Sequence, residues 1–185
     1  MMATGDVYVI DPGVSRFTVR AFVTGLLSKL GHSPTIAIRS YTGEARIDPE
    51  PSLWVRIDAR SLAVTDRVSD RDLQEMERTM NDEVLEVGRY REVVYKTTRA
   101  RLEGDRAVME GELTLHGVTR SLPLEARVAM LGESLRAQGE FAVSQSAYGI
   151  RPVRVAGGAL KLKDELKCAF EIVARRKAQS ATDAA

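Results

Sequence analysis

Cysteine and histidine are nearly missing from this chain: its 185 residues include one Cys, at 168, and two His, at 32 and 116. A single thiol cannot form an intramolecular disulfide, and without CxxC or Cys/His clusters no zinc site of ordinary spacing can be assembled. Aromatic residues are scarce at 5%, and the 27 Lys and Arg are interspersed with 26 Asp and Glu rather than grouped. That leaves no basic footprint for nucleic acid. Long apolar runs are also lacking. The longest charge-free stretch, Phe141 to Ile150, has ten residues, against the roughly 20 that a membrane-spanning helix needs. No GxSxG, HExxH or Walker pattern occurs, so the expectation is a protein that is not an enzyme and carries no cofactor or metal. The opening MMATGDVYVID shows no basic n-region or apolar h-region, and the expected location is therefore the cytoplasm.

What the chain has in abundance is alternation. The stretch Asp105 to Leu131 carries two alternating runs around a turn, the signature of a β-hairpin. With Gly117 and Val118 as a two-residue type II′ loop, residues whose numbers sum to 235 face each other. Leu113 then meets Leu122, Gly111 meets Leu124, Met109 meets Ala126 and Ala107 meets Val128. Glu110, Glu112, Thr114, Glu125 and Arg127 fall on the opposite face, and a one-residue slip would exchange the two sets.

Similar runs fill most of the remaining sequence. Val7 to Ile10 and Ser15 to Phe22 flank a turn at Asp11-Pro12-Gly13. Ile36 and Ile38 lead through a parity change to Tyr41, Ala45 and Ile47, as a bulge or bend would produce. Leu53, Val55, Ile57 and Ala59 alternate with Trp54, Arg56 and Asp58, which places Trp54 outside. Val93, Tyr95 and Thr97 give way to Ala100 and Leu102 after a second parity change. Leu135 to Val143 and Glu165 to Ala174 complete the set, and Tyr148 to Gly158 reads as a loop. Two segments break the period. TGLLSKLGHSP, 24–34, reads as a helical turn or flap, and Leu73, Met76, Met80 and Val84 form one apolar helix stripe. Ser69 and Asp72 resemble a capping box, giving a helix over about 70–81 that exposes Arg71, Asp72, Glu75 and Arg78.

The fold class expected is therefore all-β with one inserted helix, an eight-stranded antiparallel β-barrel spanning 6–175, with disordered ends at 1–5 and 176–185. Eight strands enclose an interior just wide enough for side chains or one small ligand, and closure removes exposed edges. A two-layer sandwich is the alternative architecture. His116 is expected to bond backbone at its turn, Cys168 to be an inert inward thiol, and Arg151 and Arg154 to be solvated. An enzymatic reading would need His116, Tyr148 and a carboxylate gathered around a cavity.

With the strands assigned, the sequence resembles the YceI-like family of lipocalin-like barrels. The resemblance rests on YVIDPGVSRFTVRAF, Gly43-Glu44-Ala45, the run from Ser61 to Leu73, GELTLHGVTRSLPL, and Ser146-Ala147-Tyr148-Gly149-Ile150. It implies a barrel whose interior forms a tunnel for an isoprenoid or lipid-like tail, often in a homodimer. Expected departures from the family pattern are the lack of a recognisable export signal, Val84 to Val87 in place of an aromatic pair, Arg91 in place of a proline, and the 24–34 flap. The inward residues expected to line the tunnel are Phe17, Val19, Ala21, Ile38 and Val55, with Ile57, Leu113, Leu124, Phe141 and Phe170. Leu26, Leu27, Leu30, His32, Leu73, Met76 and Met80 are expected to form the mouth or gate. Added volume at Ala21 or Gly139 should block such a tunnel without unfolding the chain. The competing expectation is a filled barrel serving as an interaction module through a surface around Trp54.

Overall fold

A computed structural model describes residues 6–25, 33–155 and 160–178. The first stave of its barrel is broken by the Asp11-Pro12-Gly13 turn into β1 (Val7–Ile10) and β2 (Arg16–Arg20). After the short β3 (Val23–Thr24), the second stave is β4 (Thr35–Ile38) followed by β5 (Tyr41–Arg46). The third is β6 (Ser52–Asp58) followed by β7 (Leu62–Val64). Helix α1 (Asp70–Arg78) comes next and runs on through a π-helical turn over Thr79–Val84. The fourth and fifth staves are β8 (Glu92–Glu103) and β9 (Arg106–Leu115). The sixth is split at Pro123 into β10 (Val118–Ser121) and β11 (Leu124–Leu131), and the seventh is β12 (Ser134–Ser144). Two short strands, β13 (Arg154–Val155) and β14 (Leu160–Leu162), precede the eighth, β15 (Glu165–Arg176).

Each stave pairs antiparallel with the next, and β15 closes the ring. Lys167 to Glu171 pair with β2, Ala174 to Arg176 pair with β1, and the whole strand also pairs with β12. The fold is thus a closed eight-stranded antiparallel barrel with one helix, as the alternation implied, and not a sandwich. Alternation decides which side chains point in. Along β15, Phe170, Ile172 and Ala174 are 5%, 6% and 0% exposed, and Glu171 between them faces solvent.

Several sequence expectations need adjustment. The hairpin loop is His116-Gly117, with φ of 51° and 73°; positive values at both positions define a type I′ turn. Leu124 therefore faces Met109 and Ala126 faces Ala107, an offset of two residues from the expected register. Because the side-chain period is also two, every residue keeps its face. The parity change in β8 is a real bulge between Thr97 and Arg99. The expected loop from Tyr148 to Gly158 includes β13, which joins β14 and β3 in a small separate sheet. β15 runs on to Arg176, paired with Tyr8, so the barrel reaches one residue into the stretch assigned to the tail.

The two ends of the barrel are built differently. Three turns, at Asp48–Pro51, Gly104–Asp105 and Gly132–Glu133, close the lower end together with Tyr8, Ile10, Leu135 and Ala174, none more than 4% exposed. At the upper end the ladder between the third and fourth staves stops at Asp58 and Glu92. Above that point β7 pairs only with β4, and α1 with its π-helical extension occupies the open seam. Ser69 caps the helix, accepting from the Asp72 backbone N–H at 3.2 Å while its hydroxyl donates to the Asp72 carboxylate at 2.7 Å. Both contacts leave the chain turned sharply onto the barrel rim.

Candidate functional site: an apolar chamber

A cavity of about 510 Å³ lies in the upper half of the barrel. All ten residues expected to line a tunnel stand on its wall: Phe17, Val19 and Ala21 from the first stave, Ile38 from the second, Val55 and Ile57 from the third. Leu113, Leu124, Phe141 and Phe170 complete the ring from the later staves. Leu26, Leu27, Leu30 and His32 fall outside the described residues.

On the helix, Asp72, Glu75, Met76, Thr79 and Met80 face the cavity, a spacing of three and four residues that marks one helical face. Leu73, assigned to the gate with Met76 and Met80, is not among the wall residues. Asp72 and Glu75 stand at the rim and remain exposed, as expected, while Leu73, Met76, Met80 and Val84 of the apolar stripe form the less exposed face. The wider π-helical turn then brings both Val84 and Leu85 to the wall.

Polar groups are few and sit near the mouth. Gln145 is 4% exposed, held by two bonds: its backbone N–H donates to Asp164 O and its Nε2 donates to Lys163 O, both at 2.9 Å. Asp164 in turn accepts from the Ser144 and Ser146 hydroxyls and the Ser146 backbone N–H. The Ser144 hydroxyl, foremost among these donors, holds the Asp164 carboxyl below its usual range. Among the described residues, Lys161, Asp72 and Glu75 are the charged residues at the wall. Deeper in, burial pushes the Cys168 thiol and the Tyr95 phenol each up to about 12. Neither is ionised near neutral pH, so neither is an activated nucleophile or base there.

His116 and Tyr148 do not join a carboxylate at this cavity. The His116 Nε2 lies 2.8 Å from Glu86 Oε2, its ring centroid 4.2 Å from that of Tyr90. Tyr148 is buried in the short helical turn at 146–148, near Arg120. The His116 bond does more than fasten a turn to its own backbone. Glu86 and His116 both have left-handed backbones, φ 46° and 51°, and they tie the segment after the helix to the β9–β10 turn. Their neighbours Leu85 and Leu115 face the cavity, so this latch holds two wall residues in place. Sequence reasoning also missed Val153, just before β13, and Leu160 and Leu162 of β14, which stand at the mouth. Three residues are too short a run for alternation to have signalled β14.

A closed eight-stranded antiparallel barrel with an apolar chamber in its upper half defines the class of lipocalin-like barrels. Comparison with known proteins specifies the family: residues 8–174 match the YceI-like domain, and the chain belongs to that family. Protein YceI of Salmonella arizonae is 27% identical over 169 residues, covering 89% of this chain and 80% of the relative. Among solved structures, BcnA of Burkholderia cenocepacia aligns with a TM-score of 0.71 at 15% identity, over 89% of this chain and 98% of the other. A polyisoprenoid binding domain from Saccharophagus degradans, implicated in plant cell wall breakdown, aligns with a TM-score of 0.68 at 14% identity, over 92% and 98%.

Proposed function

We propose that this protein binds, without catalysis, the apolar tail of an isoprenoid or similar lipid-like amphiphile, for carriage, storage or sequestration. The tail lies in the upper chamber and the head group at the rim beside α1, Gln145 and Lys161. The observation that carries this reading is the chamber itself: about 510 Å³, walled by aliphatic and aromatic side chains and open where the polar groups gather. The description of the Saccharophagus degradans structure as a polyisoprenoid binding domain supports the ligand class. Each methylene moved out of water contributes about 0.8 kcal/mol, whereas association itself costs about 4–15 kcal/mol. A tail of a few carbons therefore binds poorly, and one that fills most of the chamber binds well.

The test is native mass spectrometry of the purified protein before and after incubation with isoprenoid quinones and fatty acids, with organic extraction of whatever co-purifies. A stoichiometric apolar adduct is the expected result, and the same spectrum reports whether the homodimer implied by the family resemblance forms. A bare mass under all conditions overturns the proposal. The filled-barrel interaction module gains no support, because the upper half is hollow. Trp54, 36% exposed, lies between Glu44 and Lys96 on the neighbouring strands rather than in an apolar patch.

A further inference from the structure

Below the chamber is a second void of about 60 Å³, lined by Ile10, Ala107, Ala126, Ala137 and others of the lower staves. Leu53, Phe170 and Ile172 line both spaces, and Phe170 is the largest of the three. Its ring centroid lies 6.3 Å from that of Phe17 and 6.4 Å from that of Phe141, so three of the chain's four phenylalanines meet there. Phe17 is backed edge-on by Tyr41 at 4.7 Å, and the Tyr41 hydroxyl donates to Ser15 O at 2.8 Å. The far edge of the Phe170 ring rests against the wall at Gly139, where a Cβ would come within 2.6 Å of Cζ. A glycine at that position gives the ring a recess, and the ring stands between the two spaces.

Resting on the binding reading above, we propose that Phe170 is a specificity-determining residue: a shelf that makes the chamber blind and sets the length of tail the protein accepts. A cavity of about 150 Å³ holds one benzene, or roughly 25 Å³ per carbon. On that scale the 510 Å³ chamber takes about 20 carbons, or about four isoprene units. The 60 Å³ void takes about two more, and deleting the six ring carbons of Phe170 frees room for about six, so the opened chamber takes about 28 carbons, between about five and six isoprene units.

The experiment measures displacement of the dye N-phenylnaphthylamine by the linear prenyl alcohols geraniol, farnesol, geranylgeraniol, geranylfarnesol and solanesol, in order of length. In the wild type, affinity should rise by roughly tenfold or more with each added isoprene unit up to geranylgeraniol and then level off at geranylfarnesol and solanesol. Phe170→Ala should join the two spaces and move the plateau to a longer chain. Phe170→Leu, which keeps an apolar side chain in the core, should move it less and guards against a misfolded first variant. Adding Ala137→Leu to Phe170→Ala should refill the lower space and restore the wild-type plateau, an effect that general destabilisation does not produce. Affinity that keeps climbing to solanesol in the wild type, or a plateau unmoved in both Phe170 variants, overturns the shelf while leaving the binding reading intact. Failure of every alcohol to displace the dye from the wild type overturns both.

Discussion

The upper and lower halves of this barrel share the same staves yet differ in how they are filled. The lower half mixes five alanines, Ala45, Ala100, Ala107, Ala126 and Ala137, with larger residues such as Ile10, Met109 and Leu135, and keeps only about 60 Å³ of free space. The upper half is lined by Phe17, Ile36, Ile38, Ile57, Leu113 and Phe141 among others, and holds about 510 Å³. Large side chains on the wall therefore do not by themselves fill the upper half. The difference lies in closure: below, the ring is complete through β1, β5 and β15, whereas above, the seam between β7 and β8 is opened by an inserted helix. The space comes from the opened seam, and the large side chains reduce it.

Substitutions that add or remove volume on either side of the Phe170 shelf separate the two halves. The largest effect is expected from Gly139→Leu. Its Cβ would collide with the Glu125 carbonyl and the Phe170 ring, so the fold should lose about 3 kcal/mol or more in urea denaturation. This corrects the sequence expectation that volume added at Gly139 blocks a tunnel and leaves the fold intact. Next, Leu135→Ala in the packed lower half should cost about 3 kcal/mol, and Ile57→Ala on the chamber wall about half of that, because part of Ile57 already faces free space. Equal losses would contradict the asymmetry.

Val19→Phe reverses the pattern. Val19 is partly exposed and faces the chamber, so stability should change by less than about 1.5 kcal/mol while dye and tail binding drop sharply. Ala21, at 2% exposure, has less room for the same change. His116→Ala removes the bond to Glu86 and should cost about 1–2 kcal/mol, with faster amide exchange over Leu85 to Tyr90. His116→Gly should restore part of that, since glycine tolerates φ of 51° without strain.

The smallest effect concerns pH. Asp164 has a folded-state pKa depressed below its ordinary 3.8, first by the Ser144 hydroxyl. Its stabilisation is present above 3.8 and is lost as the pH falls through the lower folded-state value. Asp164→Asn should therefore be less stable than wild type near neutrality, and acid titrations of the two proteins should converge at the acidic end.

The same comparison shows which features the sequence could reveal. Strand parity was readable because burial repeats every two residues, and it survived a two-residue error in the hairpin register. The turn type was missed because His116, not a glycine, occupies the first left-handed position, and its reason for being there is Glu86, thirty residues away across the seam. The helix and its Ser69 cap were legible from local spacing. The exclusion of Leu73 from the wall was not, because it depends on how the helix is rotated over the rim. β13, β14 and β3 are two or three residues long, too short for periodicity to register. The chamber could not be read from residue size, because it depends on where the ring is opened rather than on which side chains face inward.

The proposed phenylalanine floor also has a consequence for kinetics. A container with one door loads and empties by the same route, so a cargo that went in tail first would come out head first, and no new molecule would push the old one through. Exchange would then wait on spontaneous departure or on an acceptor that takes the exposed head at the rim, with a dwell time set by the length of the buried tail.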